Sequence, residues 1–399
     1  MTAWYRLQLS IHKVSLRDPV VINAALVVLS LVAVLTLTSQ SAASYPTYLL
    51  ALAMVATLPR WHRYLREPLV WTVGALLGYL VASSSWADPF DWRGFGSVCA
   101  RALLVFCFVV AVGECVAKVA LRVWLGRALV VAGSFAAAAG AWAFLFTPRW
   151  DGRLSGVGQL DTPIVAGLVW GVALIAVLDR LFAEASRPWR VAAALAVVLL
   201  VTAIVLSDSR NAWATSMLGA GCFCCAWLVV QRRRFWKACV GLSIIGALVL
   251  GALASSEATR GFVLPRGDSF RPAIWSGAVE ATVVDSAWFG RGILTDNDIP
   301  VAGARTFKHP HSLYLSVFYQ GGALALLLLA AALAATVWIL WRCYEQPDAK
   351  LAIGILALGL PAYLLDGHEL IDKVGWTWFM LWLPVGIAVG LANSGEQAS

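Results

Sequence analysis

Apolar runs about as long as a membrane is thick recur through this chain so regularly that few folds are open to it. A helix that crosses a hydrocarbon core needs roughly 20 apolar residues. Runs near that length fall at 20–37, 45–58, 69–84, 99–117, 128–146, 162–181, 191–206, 212–230, 238–253, 313–341, 351–365 and 374–391. Hydrophobic residues make up 60% of the 399 and charged residues only 13%, more apolar material than a soluble core requires. Backbone polar groups in lipid must be satisfied within the segment, so these runs are helices. The fold class that follows is an all-α polytopic integral membrane protein with about twelve transmembrane helices. The run 45–58 is short and 313–341 is long, so tilt or a break is expected there.

Charge orients the bundle. Of the 30 Lys and Arg, eighteen lie in one set of alternate short connections, from Arg6 and Lys13 through Arg232, Arg233 and Arg234 to Lys350. The other set holds six: Arg93, Arg101, Arg149, Arg153, Arg210 and Lys373. The positive-inside rule then puts both termini in the cytoplasm. The basic, amphipathic stretch 1–19 is expected to be retained, because the apolar run after it is long for a signal sequence. The formal charge of +8 does not indicate nucleic acid, since the cations sit in short clusters beside apolar runs, as juxtamembrane anchors do. The eight cysteines lie in or beside apolar runs and imply no disulfide framework. Tryptophans such as Trp86, Trp92, Trp142, Trp150, Trp376, Trp378 and Trp382 stand near segment ends, as in an interfacial belt. Glu114, the clearest acid within a span, is expected to pair with Lys118 four residues on.

One long polar interval breaks the pattern. It separates the ninth and tenth spans, and its loop, 254–310, is long enough to escape the charge rule and faces outside. It carries the remaining six cations, Arg260, Arg266, Arg271, Arg291, Arg305 and Lys308, then His309-Pro310-His311-Ser312. The chain is read as a single membrane domain, 1–399, with a short amphipathic helix in this loop covering the active site. That helix begins at Arg271-Pro272, with Ile274, Ala278, Ala281 and Val284 at helical spacing and Arg271 and Trp275 on one face. Phe289-Gly290-Arg291-Gly292 reads as a tight loop, its glycines allowing positive φ or close approach to a ligand.

Three positions carry chemistry. Arg210, in the short outward connection Ser207-Asp208-Ser209-Arg210-Asn211, runs against the charge bias. It is either a bidentate phosphate ligand or a snorkelling Arg paired with Asp208. His311 can accept a proton near neutrality if surrounding arginines keep it unprotonated, and the following helix start adds positive potential for an anionic substrate. The alternative is a capping histidine. His309-x-His311 as half of a metal site lacks ligand-like carboxylates nearby. Asp366, after an apolar segment, either orients a substrate or is simply solvated. The combined reading is an anionic, lipid-linked substrate bound at the bilayer surface, with His311 handling a proton in a transfer reaction.

With these residues in hand, the chain resembles the bacterial O-antigen ligase and O-antigen polymerase superfamily, most closely the lipopolysaccharide O-antigen ligases. The resemblance rests on Ser209-Arg210-Asn211-Ala212-Trp213, on Arg271 to Trp275, on Phe289-Gly290-Arg291-Gly292 and on His311-Ser312 with Gly321-Gly322, in that order within the membrane frame. It departs at Ala325, where the family often has Gly, Thr or Tyr. The resemblance implies an inverting, metal-independent glycosyltransferase of the bacterial inner membrane, without cofactor, active at the periplasmic face. Its partners would be undecaprenyl-pyrophosphate-linked O-antigen as donor, the lipid A core oligosaccharide as acceptor, and membrane lipid. His311 would be the catalytic base, Arg210, Arg271 and Arg291 would bind the donor pyrophosphate, and Ser312, Trp275 and Asp366 would orient substrate. A polymerase or protein O-oligosaccharyltransferase of the same superfamily uses the same frame. A lipid-linked sugar flippase is the alternative of another class.

Overall fold

A computed structural model describes residues 18–118, 121–147, 152–231, 270–296, 299 and 306–395. Thirteen α-helices run through these residues: α1 Pro19–Thr36, α2 Gln40–Val55, α3 Trp61–Tyr64, α4 Pro68–Ala82, α5 Trp92–Lys118, α6 Leu121–Phe146, α7 Pro163–Ala183, α8 Arg187–Leu206, α9 Arg210–Gln231, α10 Arg271–Ser286, α11 Leu313–Arg342, α12 Pro347–Leu365 and α13 Leu383–Gly395. Among the described residues, eight helices are long and apolar enough to cross a membrane. A ninth is added if α2 and the Leu58–Tyr64 segment, bent by 68° at their junction, form one span. The run 45–58 was short for this reason. The runs 212–230 and 374–391 coincide with α9 and with the shorter apolar helix Trp378–Asn393, whereas 238–253 lies outside the described residues.

Helix α7 is the buried axis of one half of the bundle, packed against α6, α8, α9 and α12. Contacts are made close by small residues, which replace hydrophobic drive as the organising device between helices in lipid. A Cβ on Gly390 of α13 would stand 2.6 Å from the Gly113 carbonyl of α5, and one on Gly219 of α9 would stand 2.7 Å from the Gly354 carbonyl of α12. At the Arg180 end of α7, Asp179 takes Arg122 at 2.7 Å and also pairs with Arg180, while Glu184 takes Arg127 at 3.0 Å. The 21 residues of α7 rise about 31 Å, so this ionic cluster and the Pro163 end lie a membrane thickness apart.

One expectation needs correction and one is not decided. The Lys118 side chain lies outside the described residues, and Glu114 is engaged by Asn23 at 3.3 Å and Arg60 at 3.6 Å, partners from other segments that local spacing could not reveal. Trp378 and Trp382 are not belt residues: both are 1% exposed, inside the bundle, with Trp378 packed edge-on against Phe108. Trp92 and Trp142 are exposed as a belt requires.

The break expected in the longest run is at Gly322, whose φ of 66° and ψ of −165° interrupt α11. Twenty residues remain beyond it, about 30 Å of helix and one span. The loop after α10 enters this break: Arg291 and Gly292 donate backbone bonds to the Tyr319 and Gln320 carbonyls, and Ala323 and Leu324 donate to the Ala287 and Trp288 carbonyls. Side-chain-bearing residues do not fit, because a Cβ on Gly322 would stand 2.4 Å from Trp288 backbone and that φ/ψ region is essentially restricted to glycine. Gly322→Ala should therefore lower the thermal unfolding midpoint of the detergent-solubilised protein by several degrees, at a cost of about 1–3 kcal/mol or more. Gly221→Ala, with open space around its Cβ, is the control, and an equal effect at the two positions would refute the account.

Candidate functional site

His311 stands in the loop that leads into α11, held in the left-handed region with φ 51°, a conformation non-glycine residues seldom adopt. Ser312 caps α11 in extended conformation. Strain of this kind persists only where surrounding contacts over-determine it, and it clusters at working sites. The contacts here are specific. Trp275 Nε1 donates to the Pro310 carbonyl at 3.0 Å, tying α10 to the loop, and the Ser312 hydroxyl donates to the Tyr363 carbonyl of α12 at 3.4 Å.

That docking brings the end of α12 to His311. Nδ1 of His311 is 4.0 Å from Oδ1 of Asp366, an electrostatic contact between the loop and the end of α12. Burial pushes the Asp366 carboxyl up. It nonetheless lies below the usual carboxylate range, because the contact with His311, the Gly367 N–H at 2.8 Å and the charges of His311 and Arg271 outweigh that burial. Arg271, the first residue of α10, is thus within electrostatic reach of the His311–Asp366 pair. Asn211, next to the exposed Arg210, donates to the Ala362 carbonyl, one residue before the carbonyl that Ser312 binds. The start of α9 and the start of α11 therefore dock on adjacent carbonyls of α12, and Arg210 and His311 belong to the same end of the bundle.

By spacing His309 is at most half of a metal site, and nothing local singles out His368. In the structure they stack, with ring centroids 4.4 Å apart and planes 16° apart, while His309 meets the His311 ring edge-on at 4.0 Å. Residues 309 and 368 are far apart in the chain, and no spacing rule signals the pairing. Burial, then the charges of His311 and His368, push His309 down to about 4 against the pull of Asp366. Beside them, burial and Asp372 raise the Glu369 carboxyl to about 7, and Arg101 pairs with Asp372 at 3.6 Å. Among the described residues no group of three or more His, Cys, Asp or Glu has the arrangement of a metal site.

A histidine whose folded pKa is depressed contributes stability that is present above its unfolded value near 6.5 and is lost as pH falls toward 4. His309→Phe should accordingly reduce the drop in thermal unfolding midpoint between pH 7 and pH 5, and an unchanged drop would show that His309 stays outside the acid transition.

The remaining predicted residues divide. Helix α10 forms as expected, with Ile274 and Ala278 buried against Tyr319, but Val284 is 76% exposed and Thr282 takes its place on the inner face. Ten residues separate 274 from 284, which turns Val284 off the stripe. Gly290 and Gly292 adopt positive φ, 70° and 93°, as the tight-loop reading required. Arg291 is half-buried on Tyr319, donating to its hydroxyl at 2.5 Å with the guanidinium 5.3 Å from the ring centroid. Arg153, counted only as an outer charge, holds the turn before Arg210 through the Ser207 and Asp208 carbonyls. Arg260, Arg266 and Arg305 lie outside the described residues.

Comparison with known proteins places these residues in context. A family model described as O-antigen ligase matches residues 195–330, which include Arg210, Arg271, Trp275, Arg291, His311 and Ser312 but not Asp366. An O-antigen ligase of Pseudomonas aeruginosa is 27% identical over 333 residues, covering 82% of this chain and 78% of that protein. Both findings support the O-antigen ligase family for this multi-pass membrane protein.

Proposed function

We propose, from this likeness to O-antigen ligases, that the chain is a membrane glycosyltransferase that moves O-antigen polysaccharide from undecaprenyl pyrophosphate to the lipid A core oligosaccharide. The observation that carries the reading is the His311–Asp366 pair beside Arg271, at the bundle end that also presents Arg210. The family likeness supports the substrates, and the charge bias of the connections supports an inner-membrane orientation with cytoplasmic termini and this end in the periplasm.

The chemistry follows from charge and geometry. A hydroxyl of the acceptor sugar attacks the anomeric carbon of the donor as the bond from that carbon to the pyrophosphate oxygen breaks. The hydroxyl proton passes to His311, which Asp366 orients and whose imidazolium it stabilises. The pyrophosphate departs with the bonding electrons, and Arg210 and Arg271 take up the charge that develops on it. Trp275 acts through Pro310, holding the loop that positions His311, and Ser312 fixes that loop on α12.

A single displacement inverts the anomeric carbon. The product linkage should then have the configuration opposite to that of the carrier-linked sugar when both are read by NMR. Retention would overturn the one-step mechanism, and carrier-linked glycan lengthened by a second carrier-linked glycan, with lipid A core left unmodified, would make the enzyme a polymerase.

A further inference from the structure

A cleft of about 560 Å³ opens between the turn after α4 and the loop after α10, lined among others by Trp86, Asp88, Ser286, Phe289, Arg291 and Thr295. Its volume lies within the roughly 300–1,000 Å³ of small-molecule sites. Its walls are hydrogen-bonded to each other. Ile293 N–H donates to the Ser83 hydroxyl at 3.1 Å, Asp88 N–H to the Thr295 hydroxyl at 3.2 Å, and the Tyr79 hydroxyl reaches the Phe289 and Gly321 carbonyls at 3.2 and 2.9 Å. Such preorganisation lowers the ordering cost of binding.

The lining selects the ligand. Trp86 and Phe289 are 40% and 56% exposed, so each offers ring surface to the cleft. Asp88 presents an exposed carboxylate, and the Arg291 guanidinium and the Ser286 hydroxyl stand in the same lining. Aromatic faces beside a carboxylate and a guanidinium suit a molecule whose flat sides are C–H and whose rim is hydroxyl. A phosphate would meet the Asp88 charge, and an acyl chain would leave the polar rim unpaired. The cleft sits at the Gly322 break of α11, and the helical turns 313–321 that separate it from His311 span about 14 Å.

We propose that this cleft is a saccharide subsite that holds a glycan chain while its reacting end lies at His311; the proposal rests on the glycosyl-transfer reading above. Donor O-antigen and acceptor core oligosaccharide share the chemistry it recognises. Two probes distinguish them by calorimetric titration into full-length protein in detergent: O-antigen oligosaccharide freed of its carrier, and core oligosaccharide freed of lipid A. One of them should bind wild type and bind Trp86→Ala at least about tenfold more weakly. Trp86→Phe should keep most of the affinity, Asp88→Asn should lose part of it, and equal thermal unfolding of the variants shows that they are folded. The saccharide whose binding falls identifies the occupant. Failure of both saccharides to bind wild type, or unchanged binding by Trp86→Ala and Asp88→Asn, overturns the subsite. Binding is read without turnover, so a wild type that binds saccharide but transfers none counts against the transfer reading alone.

Discussion

His311→Ala should leave a folded protein whose transfer rate falls by about 10²–10⁴, the range that a positioned general base supplies. The size of the effect follows from the reaction. Without a base, the acceptor hydroxyl keeps its proton while it attacks, and no water-filled alternative has the same aim. The loss should appear in kcat, because the imidazole meets the hydroxyl proton only as the bond forms. The left-handed backbone at His311 shows that surrounding contacts hold this residue in place at some cost, and equal thermal unfolding of the variant and wild type checks that the variant is folded. A radioactive or fluorescent glycan followed from carrier to core measures it. Transfer within a factor of two of wild type would remove the general-base role.

Arg210→Ala is expected to cost about 10²–10³ in rate, the effect of deleting one group aimed at a developing anion. Arg210→Lys should recover only part of it, since an ammonium keeps the charge but lacks the planar fork that grips two phosphate oxygens. The neighbouring Asn211 makes the anchoring bond to the Ala362 carbonyl, so the guanidinium can be removed without undocking α9 from α12. If Arg210 were only a snorkelling charge, its replacement would leave kcat unchanged.

Much of this architecture was legible in the chain because lipid leaves a backbone few choices. The apolar runs within the described residues became helices, and the excess length of 313–341, which called for tilt or a break, is met by a break at Gly322. Helix α10 was legible from its first turn, down to Arg271 and Trp275 on a shared face, and the two loop glycines from their conformational freedom. What sequence could not supply were contacts between residues distant in the chain. The His309–His368 stack, the pairing of Glu114 with Arg60 and the burial of Trp378 and Trp382 all depend on which helices become neighbours, and local periodicity carries no record of that. Arg291 shows the same limit: its packing against Tyr319, in the wall of an aromatic cleft, joins two segments that local spacing does not relate.

The central claim is tested most directly by reconstituting the reaction with purified protein, a polyprenyl-pyrophosphate-linked glycan and lipid A core, and resolving the products on a gel. The account predicts a lipid A core band shifted upward by the mass of the glycan, with free polyprenyl pyrophosphate as co-product, and neither product with His311→Ala. An unshifted core band with the donor consumed or intact, or a shift that persists in His311→Ala, would contradict it.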